Sequence, residues 1–206
     1  MHATQRRTEC PGPAGRLEVV IDEPPAPVRG VAVLCHPHPV HGGTLDNKVI
    51  QTLARAFVQL GYRSVRFNFR GVGRSEGHWD HGIGEVDDAL AVVQAFRDAS
   101  LPLALGGFSF GGYVAAQARA RLGAEVPVER LVLVGPATST FEMPPVPENT
   151  LVIHGEADDV VPLAATLDWA RPQALPVVVL PGVGHFFHGQ LTRLRALVAQ
   201  AWGTRP

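Results

Sequence analysis

The chain has 206 residues, a length that fits one domain or at most two small ones. Its 18 basic and 19 acidic residues give a net charge of −1, which argues against a nucleic-acid-binding surface or a polybasic membrane patch. A hydrophobic content of 46%, beside 18% charged residues, excludes disorder as the main state of the chain.

The first 15 residues are polar at their start and then rich in proline and glycine, so we expect them to form a flexible lead-in. They hold no apolar stretch typical of a secretory signal, and no segment approaches the run of about 18 apolar residues that a membrane-spanning helix needs. We therefore expect a single domain over residues 1–206, in the cytoplasm, without a membrane or nucleic-acid partner, as a monomer or homodimer.

After residue 30, short apolar runs alternate with segments in which apolar residues recur at helical spacing. Residues 31–35 are typical of a buried strand, and residues 49–60 of an amphipathic helix that ends at Gly61. Residues 16–22 predict an additional edge strand. This alternation predicts a mostly parallel sheet with helices on both faces. Further strands are predicted over residues 64–69, 101–105, 131–134, 150–153 and 177–180, and further helices over residues 86–96, 113–122, 163–170 and 191–202.

A G-x-S-x-G sequence, from Gly107 to Gly111, follows a predicted strand and precedes an alanine-rich helix. In that context the motif is typical of a nucleophile elbow, a tight turn that projects the serine hydroxyl above the sheet. The alternative is a glycine-rich turn whose serine only caps the helix. The position between a buried strand and a helix favours the elbow, so we predict Ser109 as a nucleophile.

A serine hydroxyl is a weak nucleophile and needs a base, and the base needs an orienting group. His185 follows the last predicted strand and is the candidate base. Asp158 follows the preceding strand and is the candidate orienting acid, with Asp159 as the alternative. The order serine, acid, histidine is that of the elbow architecture, and parallel strands end at one edge of the sheet. We therefore expect these side chains to meet there.

Acyl transfer also needs N–H donors for the developing oxyanion. The backbone N–H of Phe110, the residue after the nucleophile, is one candidate. The other is expected from the loop that follows residues 31–35, where Pro37 and Pro39 have no N–H. His38 offers the only backbone donor among residues 37–39 and is assigned this position. The alternative is that these residues only shape the loop.

Two further motifs accompany these residues. Arg70 to Ser75 reads R-G-V-G-R-S and resembles the R-G-x-G-x-S turn of the α/β-hydrolase superfamily, and residues 154–162 resemble its H-G-x-x-D-x-x-V-P acid segment. The likeness covers about residues 30–202. The H-P-H-P run, followed by G-G-T and N-K, resembles a bacterial subgroup of small, lidless hydrolases described as esterases or as dienelactone-hydrolase-like.

The resemblance implies an α/β-hydrolase fold, with a mostly parallel central sheet, helices on both faces and no large lid. It also implies a serine carboxylic-ester hydrolase that acts through an acyl-enzyme, with a small-molecule ester as substrate and no cofactor. The chain departs from the family in two ways. Pro37 replaces the first glycine of the common His-Gly oxyanion segment, and Ser109 stands where dienelactone hydrolases carry a cysteine.

Only residues 137–148 separate two predicted strands at the place where lidded members insert helices, so we expect an open site. Phe186, Phe187 and Trp79 are candidate walls of an apolar substrate pocket. We expect short acyl chains on this basis. Cleavage of a thioester, an amide or a lactone stays open, because the same machinery serves all of them.

A metal hydrolase is an alternative from another class of chemistry. Prolines on either side of His38 restrict that loop, the chain lacks the H-x-H-x-D-H run typical of metallo-β-lactamase-like sites, and the elbow would be unexplained. We therefore expect no metal. A non-catalytic binding protein of hydrolase fold is a second alternative, and it would be expected to lack one of the three catalytic residues. The candidate metal ligands are His36, His38, His41, Asp46, Asp80 and His81.

Overall fold

The computed structural model describes residues 4–25 and 27–203. Eight strands, β1 to β8, span Thr4–Gly12, Gly15–Glu23, Gly30–Cys35, Tyr62–Phe67, Leu103–Phe108, Val128–Val134, Leu151–Gly155 and Val177–Leu180. Five α-helices, α1 to α5, span Lys48–Gln59, Ile83–Phe96, Phe110–Leu122, Leu163–Ala170 and Leu191–Gly203. The strands form one sheet in the order β1-β2-β4-β3-β5-β6-β7-β8. Strands β3 to β8 run parallel, whereas β2 runs antiparallel to both β1 and β4.

Successive residues of the central strand β3 face opposite sides of the sheet, as the period of a strand requires. Val31 and Val33 belong to a core that includes α2 and α3, whereas Ala32 and Leu34 belong to a second core that includes α1 and α5. The predicted mostly parallel sheet with helices on both faces is therefore confirmed. None of the helices within the described ranges is long and apolar enough to cross a membrane.

The expected flexible lead-in is wrong for residues 4–15. Strand β1 pairs with β2 along its whole length, from Thr4 opposite Glu23 to Gly12 opposite Gly15. As a result β2, predicted at the edge, lies inside the sheet and β1 is the edge strand. The polar composition misled the prediction because backbone hydrogen bonds hold an edge strand, and edge strands tolerate exposed charged side chains. Residues 1–3 lie outside the described part of the chain.

A buried ion pair holds the turn after β4 against α2. The Arg70 side chain donates from Nε to Oδ2 of Asp88 over 3.0 Å and from a terminal nitrogen to Oδ1 over 2.8 Å. The backbone N–H of Arg70 also donates to Oδ2, over 2.9 Å. The Asp88 side chain is fully buried. These hydrogen bonds raise the pKa of Arg70, and the pair fastens the R-G-V-G-R-S turn to the core.

Replacing Asp88 by Asn should lower the free energy of unfolding by about 3–5 kcal/mol, because Arg70 would keep a buried charge without its carboxylate. The neighbouring Asp87 provides a matched control, since it pairs with Arg121 at the exposed surface. For Asp87→Asn we expect a loss below about 1 kcal/mol. Urea denaturation of both variants measures the difference, and equal losses would contradict a structural role for the buried pair.

Candidate active site

Ser109 occupies a strained turn between β5 and α3, with φ 56° and ψ −121°. Few residues other than glycine adopt a positive φ, and such strain is typical of functional positions. Neither flanking glycine has room for a side chain. A Cβ on Gly107 would overlap the carbonyl oxygen of Gly111, and a Cβ on Gly111 would overlap the carbonyl oxygen of Cys35. The motif therefore forms the elbow geometry that the sequence predicted.

The structure brings the three predicted side chains into one hydrogen-bonded chain. Nε2 of His185 lies 3.0 Å from Oγ of Ser109, and its Nδ1 lies 2.7 Å from Oδ2 of Asp158. A carboxylate oxygen only accepts, so Nδ1 carries the imidazole proton and Nε2 is free to accept from the serine. Asp159, the alternative acid, is exposed to solvent, so the structure selects Asp158.

The other oxygen of Asp158 is held by the chain that follows it. Oδ1 accepts from the backbone N–H groups of Val160, over 3.0 Å, and Val161, over 2.7 Å. Burial opposes the charged form of Asp158, but the His185 hydrogen bond and these two donors outweigh it, so its pKa lies below the usual value. Asp158 is therefore held as a carboxylate beside His185.

The loop after β3, which holds His38, lies beside the start of α3, which holds Phe110, so the residues of the two predicted oxyanion donors are neighbours. The rings of His38 and Phe110 lie 5.1 Å apart, and the carbonyl oxygen of His38 accepts from the N–H groups of His41 and Gly43. A Cβ on Gly43 would overlap the carbonyl oxygen of Pro37, so a glycine is needed there to close the loop. The N–H of Phe110 belongs to the first turn of α3, where no intrahelical acceptor exists.

Of the three predicted pocket walls, only Phe186 lines the cleft at Ser109, with 48% of its surface exposed. The prediction for Phe187 is wrong. Its φ of 52° turns the chain inward, and its ring is fully buried in the core beside α1 and α5. Trp79 packs against His38, with 4.6 Å between the ring centroids, and is not among the residues that line the cleft.

The cleft above Ser109 has a volume of about 320 Å³. Sequence reasoning missed Val160 and Asn47 as lining residues. Val160 lies two residues after Asp158 in the segment 154–162, and this closeness to the predicted acid could have indicated that it lines the cleft. Asn47 caps the N-terminus of α1 by accepting from two backbone N–H groups, and nothing local marks it as facing the cleft. The lining residues are Pro37, His38, His41, Gly42, Gly43, Asn47, Ser109, Val160, His185 and Phe186.

The metal alternative meets an obstacle at His36. Its Nδ1 donates to the carbonyl oxygen of Pro37 over 2.6 Å, and its Nε2 accepts from the N–H of Phe69 over 3.1 Å. Both ring nitrogens are thus engaged, and neither can bind a cation without breaking a buried hydrogen bond. Over residues 4–25 and 27–203, no three or more His, Cys, Asp or Glu side chains form a group that could hold a metal ion.

Comparison with known proteins identifies the family. A family model described as serine aminopeptidase, S33, matches residues 27–149. The chain belongs to this family of α/β hydrolases. An uncharacterized protein of Rickettsia prowazekii is 32% identical over an alignment of 193 residues, and the match covers 85% of this chain and 79% of that protein.

Two solved structures place this α/β hydrolase within a narrower group. A Xanthomonas campestris structure, described as an α/β serine hydrolase without a lid, is 37% identical, with a TM-score of 0.89 and coverage of 100% and 99% of the two chains. A Coxiella burnetii structure, described as an α/β serine hydrolase homologue, is 39% identical, with a TM-score of 0.83 and coverage of 95% and 96%. The predicted resemblance to the lidless subgroup is confirmed.

Acid should destabilise this hydrolase through His36. Burial lowers the pKa of His36 from 6.5 to about 3. Between these values the unfolded chain binds one more proton than the folded one, so the free energy of unfolding falls as the pH drops through this window. The wild type should lose about 1.4 kcal/mol per pH unit more than His36→Gln below pH 6.

Urea denaturation at pH 7, 6, 5 and 4.5 measures this difference. The exposed His78 provides the control, since His78→Gln should keep the wild-type slope. A His36→Gln slope equal to that of the wild type would show that His36 does not stay neutral in the folded protein.

Proposed function

We propose that the protein hydrolyses carboxylic esters through an acyl-enzyme formed on Ser109. The proposal depends above all on the continuous hydrogen-bonded chain from Asp158 through His185 to a serine at a strained elbow. Membership of a serine hydrolase family supports hydrolytic chemistry. An ester as substrate is what the resemblance to small, lidless hydrolases implies, and the lining of the cleft supports it.

In the proposed reaction, Nε2 of His185 accepts the Ser109 proton as Oγ attacks the ester carbonyl carbon. The negative charge that develops on the carbonyl oxygen is stabilised by the backbone N–H groups of Phe110 and His38. The imidazolium then donates its proton to the departing alkoxide, leaving an acyl-enzyme. A water molecule then attacks the carbonyl carbon of the acyl-enzyme, with His185 again as base. The carboxylic acid is released and Ser109 regains its proton. Asp158 keeps Nδ1 protonated and stabilises the imidazolium throughout.

The cleft favours an uncharged acyl group. Val160 and Phe186 expose 53% and 48% of their surface at its rim. An aminopeptidase must bind the free ammonium group of its substrate, and a carboxylate is the usual partner for such a cation. Within the described part of the chain, the residues that line the Ser109 cleft include no Asp or Glu. The apolar side chains of the lining support an ester as substrate. Asp159 lines an adjoining cleft that shares Val160, His185 and Phe186, so a substrate with a free N-terminus is included in the substrate test below.

The connection between β6 and β7, residues 135–150, contains no helix, so the site has no cover from the position where lidded relatives insert one. An open cleft of about 320 Å³ suits a small-molecule ester with a short acyl chain. Thioesters and lactones present the same reacting carbonyl and are included below as outcomes of the substrate test.

Replacing Ser109 by Ala should lower ester kcat/KM by at least about 10³-fold, because the acyl-enzyme can no longer form. A fluorophosphonate should inactivate the wild type by modifying one residue, Ser109, which mass spectrometry of the labelled peptide identifies. Ser100 lies in an exposed turn and provides the matched control, so Ser100→Ala should keep full activity. Hydrolysis abolished by a chelator but not by the phosphonate would contradict the serine mechanism.

Among p-nitrophenyl esters, kcat/KM should be highest for acetyl to butyryl chains and fall for longer ones. Phe186→Ala should lower kcat/KM for the butyrate ester about 3- to 10-fold through lost apolar contact. Val179, exposed on β8 outside the cleft lining, provides the control variant Val179→Ala. Faster cleavage of leucine p-nitroanilide than of the butyrate ester would overturn the ester assignment in favour of an aminopeptidase. A higher kcat/KM for a thioester or a lactone than for any of the esters would overturn it in favour of that substrate class.

A further inference from the structure

A second buried imidazole touches the carboxylate that orients His185. His154, the penultimate residue of β7, is fully buried, and its Nε2 lies 3.4 Å from Oδ2 of Asp158. This is the same oxygen that accepts the Nδ1 proton of His185. His154 therefore contacts Asp158, the residue of the series Ser109–His185–Asp158 that is furthest from the serine. His154 does not itself line the cleft.

The proton positions on His154 follow from its partners. Its Nε2 lies 2.9 Å from the carbonyl oxygen of Val161, which only accepts, so Nε2 carries the proton. Its Nδ1 lies 3.2 Å from Oγ1 of Thr166, which donates to it. Thr166 in turn accepts from Thr138, over 2.9 Å between their Oγ1 atoms. Burial lowers the pKa of His154, so the ring is neutral and stays in this tautomer.

His154 constrains Asp158 in two ways. Directly, the positive end of its Nε2–H group lies beside Oδ2 and favours the charged carboxylate. Indirectly, the same N–H group holds the carbonyl oxygen of Val161, and the N–H group of Val161 donates to Oδ1 of Asp158 over 2.7 Å. One imidazole thus acts on both oxygens of the carboxylate. The hydroxyls of Thr138 and Thr166 anchor that imidazole to the loop after β6 and to α4.

We propose that His154 is a positioning residue for the hydrolytic reaction, holding Asp158 in the orientation that keeps His185 ready to accept the Ser109 proton. The inference rests on the proposed role of Ser109 as nucleophile. Its effect should fall on the chemical steps rather than on substrate binding, because His154 is fully buried and lines no part of the cleft.

The test compares His154→Leu, which removes the donor, with His154→Gln, whose side-chain amide retains an N–H near the Nε2 position. Two rates are measured: labelling of Ser109 by a fluorophosphonate, and kcat and KM for p-nitrophenyl butyrate. His154→Leu should slow labelling and lower kcat about tenfold with KM unchanged. His154→Gln should stay within about twofold of the wild type. Similar rates in the two variants would overturn the proposal.

A double-mutant cycle then separates positioning from a general loss of structure. In an Asp158→Asn background, His154→Leu should slow labelling by less than about twofold, since its target carboxylate is gone. An undiminished tenfold loss in that background would show that His154 acts through overall stability, and would overturn the proposal. Labelling of Ser109 without ester hydrolysis would overturn the proposed substrate instead, and the labelling rates would still decide the role of His154.

Thermal unfolding checks that each variant folds. If His154→Leu does not fold, Thr166→Val replaces it, because it removes the donor to Nδ1 and leaves His154 in place. Thr52→Val is the matched control, a buried threonine of α1 that donates to the carbonyl of Lys48. Labelling about threefold slower in Thr166→Val, but not in Thr52→Val, supports the proposal. Equal rates in these two variants overturn it.

Discussion

The close approach of α3 to the ends of β5 and β3 is the contact on which the site depends. Gly107 and Gly111 admit no Cβ, because the space is filled by backbone atoms of the helix and of Cys35. Cys35 ends β3, and the loop that holds His38 follows it. The same contact therefore holds Ser109 at a positive φ and sets the loop of His38 beside it. Ser109 and the two predicted oxyanion donors, the N–H groups of His38 and Phe110, are positioned together, so one displacement would disturb both.

Three buried imidazoles differ in role because their partners differ. His36 uses both ring nitrogens within the fold, and it is neutral because burial lowers its pKa. His154 also engages both nitrogens, one of them beside Asp158. Only His185 directs a nitrogen toward a hydroxyl that lines the cleft, while a carboxylate holds its other nitrogen. Burial alone does not make a histidine catalytic. The donor that faces its basic nitrogen decides whether that nitrogen is engaged within the fold or can take a proton at the cleft.

Local sequence patterns were sufficient to predict the central strands, the helices and the elbow. Apolar runs that alternate with segments of helical spacing are sufficient to predict a parallel sheet, because both faces of such a sheet must be buried. The G-x-S-x-G motif needs only its own glycines and flanking elements to form the turn. The sequence also predicted that Ser109, Asp158 and His185 meet, because each of them follows a predicted strand. The parallel sheet brings those ends to one edge, and the structure places the three side chains within hydrogen-bond distance.

The sequence by itself thus determined the fold class, the elbow and the family to which the chain belongs. Tertiary structure alone decided that Thr4–Gly12 forms an edge strand, because its polar residues carry no apolar pattern and pairing with β2 holds it in place. It also decided that Phe187 enters the core while Phe186 faces the cleft, a choice made by one positive φ. The contact between His154 and Asp158 depends on the turn that the chain makes directly after β7. None of these outcomes has a residue pattern of its own. The hairpin strand is polar, Phe186 and Phe187 are adjacent identical residues, and the spacing of His154 and Asp158 does not fix the turn between them, so backbone pairing and packing against the rest of the fold decide each one.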